Sequence, residues 1–111
     1  RSGVRRIQSI DPEPFDCKIA GEIRDFEADG YFNVPKDARR SDRYVQYAVA
    51  ASKMAMTDSG LDTSKIDSRR YGVMVGSGIG GLSTLEREHS NYIEKGARRV
   101  SPFTIPMMIS N

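Results

Sequence analysis

The segment YGVMVGSGIGGLSTLE, Tyr71 to Glu86, constrains the fold more than any other part of the chain. A short apolar run, YGVMV, leads into closely spaced glycines, and Leu82 and Leu85 then recur at helical spacing. The order is strand, tight turn, helix. YGVMV carries no polar alternation, so it reads as a strand buried on both faces, as in a parallel sheet. Strand alternating with helix places the chain in the α/β class.

The glycines admit three readings. Gly76, Gly78 and Gly81 satisfy G-x-G-x-x-G, the spacing with which a dinucleotide-binding turn lets a pyrophosphate approach a helix N-terminus. That motif needs a second strand ending in an acidic residue about 20 positions on. Here the window holds Glu94 and KGARRVSP, with no strand ending. A P-loop needs a lysine after its last glycine to meet the terminal phosphates, and Leu82 stands there instead. The remaining reading is structural: glycine permits a tight turn and a close main-chain approach. Ile79, alone among the glycines, would then project as an apolar side chain held up on a bare turn.

The longest element is expected from about Asp42 to Ser59, with Ser41 as N-cap, Asp42 in the first turn and Gly60 as the stop. Tyr44, Val45, Tyr47, Ala48, Val49, Met54 and their neighbours cover most of the circumference, and a helix apolar nearly all round is a buried one. A second helix follows the glycines, with Leu82, Leu85, His89, Tyr92 and Ile93 on one stripe and Gly96 as its end. CKIAGEIRDF suggests a short strand around Ile19, Gly21 and Ile23. Pro12 and Pro14 make the N-terminal RSGVRRIQSIDPEPFD irregular, and EADGYFNVPKDARRSD reads as a polar loop with room for a helical turn.

Lys and Arg number 17 against 15 Asp and Glu, a net charge of +2, which is too small to point to nucleic acid. No apolar run approaches the roughly 18 residues of a membrane-crossing helix. Cys17 is the single cysteine, so neither a disulfide nor a cysteine-rich metal site forms within the chain; it reads as structural or incidental. His89, a lone histidine on an apolar stripe, reads as packed rather than reactive. The chain opens on Arg1 and closes on the uncharged SPFTIPMMISN, which reads as an internal piece, residues 1–111, of a larger protein.

The ordered set RRSDRYVQYAVAASKMAMTDSGL, GSGIGGL, EREHSNYIEKG and SPFTIPMMISN, with IAGEI before it, resembles the elongating β-ketoacyl-acyl-carrier-protein synthases (the synthase II type) of fatty-acid synthesis. The resemblance covers nearly the whole chain and weakens before about Phe15. Polyketide ketosynthases share that fold. It implies a thiolase-like fold, two similar βαβαβαββ halves in an αβαβα layered body, of which this chain is most of the first half.

The family's reaction is a decarboxylating Claisen condensation. A cysteine carries the acyl chain as a thioester, while two histidines and a lysine support decarboxylation of malonyl-acyl carrier protein. The resemblance places the cysteine just beyond Asn111 and the other three groups in the second half; Cys17 and His89 match none of them. It implies no cofactor, a homodimer, acyl carrier protein as partner, and a cytoplasmic or organellar setting. Ile79 is implied to line the acyl tunnel. Thr104 is implied to reach the partner subunit's pocket, at a position where many relatives are aromatic. Lys36, Arg39, Arg40, Arg98 and Arg99 are implied to face the acidic carrier protein. A chain-length-factor-type partner without the cysteine, a polyketide ketosynthase segment, or a nucleotide-binding module are the alternatives.

Overall fold

The computed structural model describes residues 2–109; Arg1 and the last two residues of SPFTIPMMISN, Ser110 and Asn111, lie outside them. Two short strands, β1 (Val4–Arg6) and β2 (Ile19–Gly21), pair antiparallel in the register Val4↔Gly21, Arg5↔Ala20 and Arg6↔Ile19. The expected strand at Ile19 is present. The irregular N-terminus is a partial misreading, because β1 precedes both prolines and Pro12 instead accepts from the Phe15 N–H in the connecting loop (3.1 Å). Glu22 ties this hairpin together: it accepts from the N–H groups of Gln8 and Ser9 and from the Ser9 hydroxyl, and it pairs with Arg24. The Ser9 hydroxyl and N–H, with Arg24, hold its carboxyl down at about 2.

Four α-helices follow. α1 is Pro35–Arg39, α2 is Arg43–Ser59, α3 is Leu82–Lys95 and α4 is Thr104–Met108. Pro35 opens α1 rather than interrupting a loop, because proline at the first helical position gives up only an N–H that has no helical partner. α2 begins one residue later than the sequence suggests: Asp42 is the cap position, while the Ser41 hydroxyl donates back to Asp37 O at 2.8 Å and closes α1. Gly60 ends α2 in the left-handed region at φ 63°, as its type leads one to expect.

Two apolar surfaces stand open within this chain. YGVMV pairs with no strand among the described residues, and Val73 and Met74 are 82% and 97% exposed. A parallel strand needs neighbours for its N–H and C=O groups, and the two described strands spend theirs on each other. The apolar girth of α2 is likewise only partly covered. Ala50 is buried, and the Tyr47 and Phe26 rings meet at 5.0 Å, tilted by 59°, with Arg43 over both, but Met54 and the C-terminal half stand open.

The exposed area is 9277 Å², against about 6,100 Å² for a compact monomer of this mass. The radius of gyration is 17.6 Å, against about 13 Å for a compact domain of this length. Both gaps point the same way: apolar faces on 73–75 and on α2 are open to solvent in this chain.

Candidate functional site

The tightest main-chain approach lies at the end of the glycine turn, where Gly81 is buried. Gly80 takes φ +77°, and a Cβ there would lie 2.2 Å from Met108 O. A Cβ on Gly81 would meet Met107 O at 2.7 Å, Asp42 Oδ2 at 2.9 Å and the Met108 Cα at 2.9 Å. These two glycines are therefore bare so that the end of α4 and a carboxylate can press on the main chain. Gly76 and Gly78, the first two glycines of the fingerprint, have nothing within 4 Å of such a Cβ.

The donors at the start of α3 are already engaged. The Gly80 N–H donates to Ser77 Oγ (2.9 Å), the Gly81 N–H to Met108 O (2.8 Å) and the Leu82 N–H to Gly80 O (3.0 Å). Gly81 occupies the cap position of α3 and has no side chain to cap with. The cap comes from another helix: Asp42 Oδ2 accepts from the Thr84 N–H at 3.0 Å and from the Thr84 hydroxyl at 2.6 Å. Both residues are buried, Thr84 to 1% exposure. The site where a phosphate would sit holds a protein carboxylate, which has the same preference for the positive end of the helix.

α3 turns the opposite face inward from the one its apolar stripe suggests. Leu82, Leu85, His89, Tyr92 and Ile93 are exposed, and Thr84 and Glu88 are buried. Glu88 Oε2 accepts from the Ser101 N–H at 2.8 Å, and Oε1 accepts from Arg87 Nε at 3.1 Å. The Ser101 N–H first, and Arg87 second, hold the Glu88 carboxyl below the usual carboxylate range. Tyr44, at the start of α2, donates its hydroxyl to Ile109 O; burial, and then the Asp42 charge, push its pKa up.

Ile79 stands at the tip of the turn, 72% exposed. Thr104 opens α4, half-buried, with its hydroxyl donated to Ser101 O at 2.6 Å. An open apolar groove of ≈ 490 Å³ runs between Tyr44, Val45 and Ala48 of α2, Val73 and Val75, and Pro106 of α4. Neither Ile79 nor Thr104 lines it.

The basic residues are all exposed. Lys36 and Arg39 lie on α1, Arg40 at its end, and Arg98 and Arg99 in the 3-10 turn Ala97–Arg99. None of the five forms an ion pair with another described residue. The Arg40 guanidinium lies over the Phe103 ring, 5.8 Å from its centroid, which brings the end of α1 alongside the segment following Arg98 and Arg99. Cys17 is exposed, remote in sequence from these groups. Among the described residues no group of histidine, cysteine, aspartate or glutamate side chains could hold a metal ion, and no helix is long and apolar enough to cross a membrane.

Residues 1–111 match the family model "Beta-ketoacyl synthase, N-terminal domain" from end to end. The chain belongs to the beta-ketoacyl synthase family. It is 44% identical over 108 residues, 97% of the chain, to a protein named 3-oxoacyl-[acyl-carrier-protein] synthase 2 from Staphylococcus aureus. It is 43% identical over all 111 residues to the protein of the same name from Vibrio harveyi. The chain spans about a quarter of these relatives, 27% and 26% of their lengths. Membership carries the thiolase-like fold with it.

Sequence reading missed Asp42, Thr84, Glu88 and Ser101 as a connected set. One signal was available: a helix whose cap position is glycine has no side chain of its own there, which leaves its first N–H groups open to a partner from another segment.

Proposed function

We propose that the chain is part of a 3-oxoacyl-[acyl-carrier-protein] synthase that lengthens fatty acyl chains by decarboxylating Claisen condensation. In that reaction a cysteine thiolate of the complete protein takes the acyl group from its carrier as a thioester. Loss of CO2 from malonyl-acyl carrier protein leaves a carbanion, which attacks the thioester carbonyl and expels the thiolate. The nucleophile and its supporting histidines and lysine belong to other parts of the protein. This segment supplies a wall of the acyl pocket at Ile79 and Thr104, part of a homodimer interface, and a docking surface at Lys36, Arg39, Arg40, Arg98 and Arg99. The body is the αβαβα layered arrangement, with 71–75 as an inner strand, in the cytoplasm or an organelle.

The observation that carries this reading, beyond family membership, is the occupied glycine turn. Its Gly80, Gly81, Leu82 and Thr84 N–H groups donate to protein oxygens, so a nucleotide phosphate meets a carboxylate and a carbonyl in place of free donors. The exposed, unpaired cations suit an acidic carrier protein. The test is a condensation assay on the purified complete protein with acyl- and malonyl-acyl carrier protein. Formation of the 3-oxoacyl product, with no binding of NAD or ATP, is expected. Nucleotide binding without condensation overturns the reading.

A further inference from the structure

The Ser101–Met108 segment, which carries Thr104, is fastened to α3 at both ends. At its start, Glu88 Oε2 accepts from the Ser101 N–H at 2.8 Å. At its close, Met108 O accepts from the Gly81 N–H at 2.8 Å. The second fastening depends on the direction of the glycine turn as it enters α3, and that direction is fixed by Asp42 Oδ2 on the Thr84 N–H and hydroxyl. Thr84 and Glu88 lie one turn apart on the buried face of α3, so the two carboxylates act on the same side of one helix. Each carboxylate is itself buried, and hydrogen bonds to charged acceptors that exclude water are both strong and directional.

We propose that Asp42 and Glu88 are positioning residues: two buried carboxylates that clamp the Ser101–Met108 segment to the glycine turn and so set where Thr104 stands. The clamp rests on the reading of Ile79 and Thr104 as acyl-pocket walls. It deepens that reading by naming what fixes the position of Thr104. Neither acid touches the acyl chain. Each acts through main-chain atoms, so its loss changes which chain lengths are accepted rather than how tightly malonyl-acyl carrier protein is held.

The experiment uses the complete protein with Glu88→Met, Glu88→Gln and Asp42→Asn, read by amide hydrogen exchange over residues 101–108 and by product chain length. Losing the Glu88 acceptor is expected to speed exchange at the start of the segment about tenfold. The product-length distribution shifts with it, while the KM for malonyl-acyl carrier protein stays unchanged. Glu88→Gln keeps a carbonyl acceptor for the Ser101 N–H and returns both readouts towards the parent. Asp42→Asn, which retains one side-chain oxygen, gives a smaller effect of the same kind. Unchanged exchange in Glu88→Met overturns the clamp, and so does faster exchange without a change in product length. Ile79→Phe, assayed alongside, separates the two ideas. A shift with Ile79→Phe but none with Glu88→Met overturns the clamp alone; silence from both overturns the pocket reading as well.

Discussion

Gly80→Ala separates close main-chain approach from ordinary turn flexibility. Gly60 and Gly80 both have positive φ, 63° and 77°, but a Cβ on Gly60 meets nothing within 4 Å, whereas one on Gly80 meets Met108 O at 2.2 Å. Gly60→Ala should therefore cost only the left-handed strain of an L-residue, about 1–2 kcal/mol. Gly80→Ala carries the same strain plus an overlap that can be relieved only by moving the end of α4. Forced displacement in a packed site costs about 1–3 kcal/mol, so the expected total is about 2–5 kcal/mol. The overlap also strains the Gly81 N–H to Met108 O bond, because the carbonyl that must move is its acceptor. Parallel denaturant titrations of the complete protein, read by circular dichroism, give the comparison. A Gly80→Ala variant no less stable than Gly60→Ala would refute the close-approach account.

Ile79→Phe in the complete protein should shift products towards shorter acyl chains, read by mass spectrometry; unaltered selectivity counts against a pocket role for Ile79. Reversing charge with Arg39→Glu and Arg40→Glu should raise the KM for carrier-bound substrate, more at low salt than at high salt because exposed charges are screened. An unaffected KM removes these two residues from the docking surface. The Glu22 carboxyl, held at about 2, stabilises the hairpin fully above its ordinary value near 4.5 and loses that contribution as pH falls towards 2. A carbon-13 titration of this carboxyl with a midpoint at or above 4 contradicts the Ser9 and Arg24 contacts.

What could be read from sequence, and what could not, divides along one line. Features that depend on neighbours in the chain were legible: the span of α2, its Gly60 end, α3 and its Gly96 end, and the β2 strand. Features that depend on distant partners were not. YGVMV has strand composition, but a strand exists only with a ladder partner, and β1 and β2 pair with each other. The three residues of β1 are too few to show an alternation.

The stripe on α3 was read correctly as a pattern and wrongly as to what faces inward within this chain. Thr84 finds Asp42 from 42 positions away and Glu88 finds Ser101 from 13, distances at which helical periodicity carries no information. Gly80 and Gly81 bear out the reading of close main-chain approach, through the end of α4, while Gly76 and Gly78 meet nothing within 4 Å.

A crystal structure of the complete protein, grown with a nucleotide present, addresses the central claim most directly at the start of α3. The account predicts Asp42 on Thr84, Met108 O within hydrogen-bond reach of the Gly81 N–H, and no anion between them. A phosphate seated over residues 76–81, with the Met107–Met108 main chain moved aside, would contradict it.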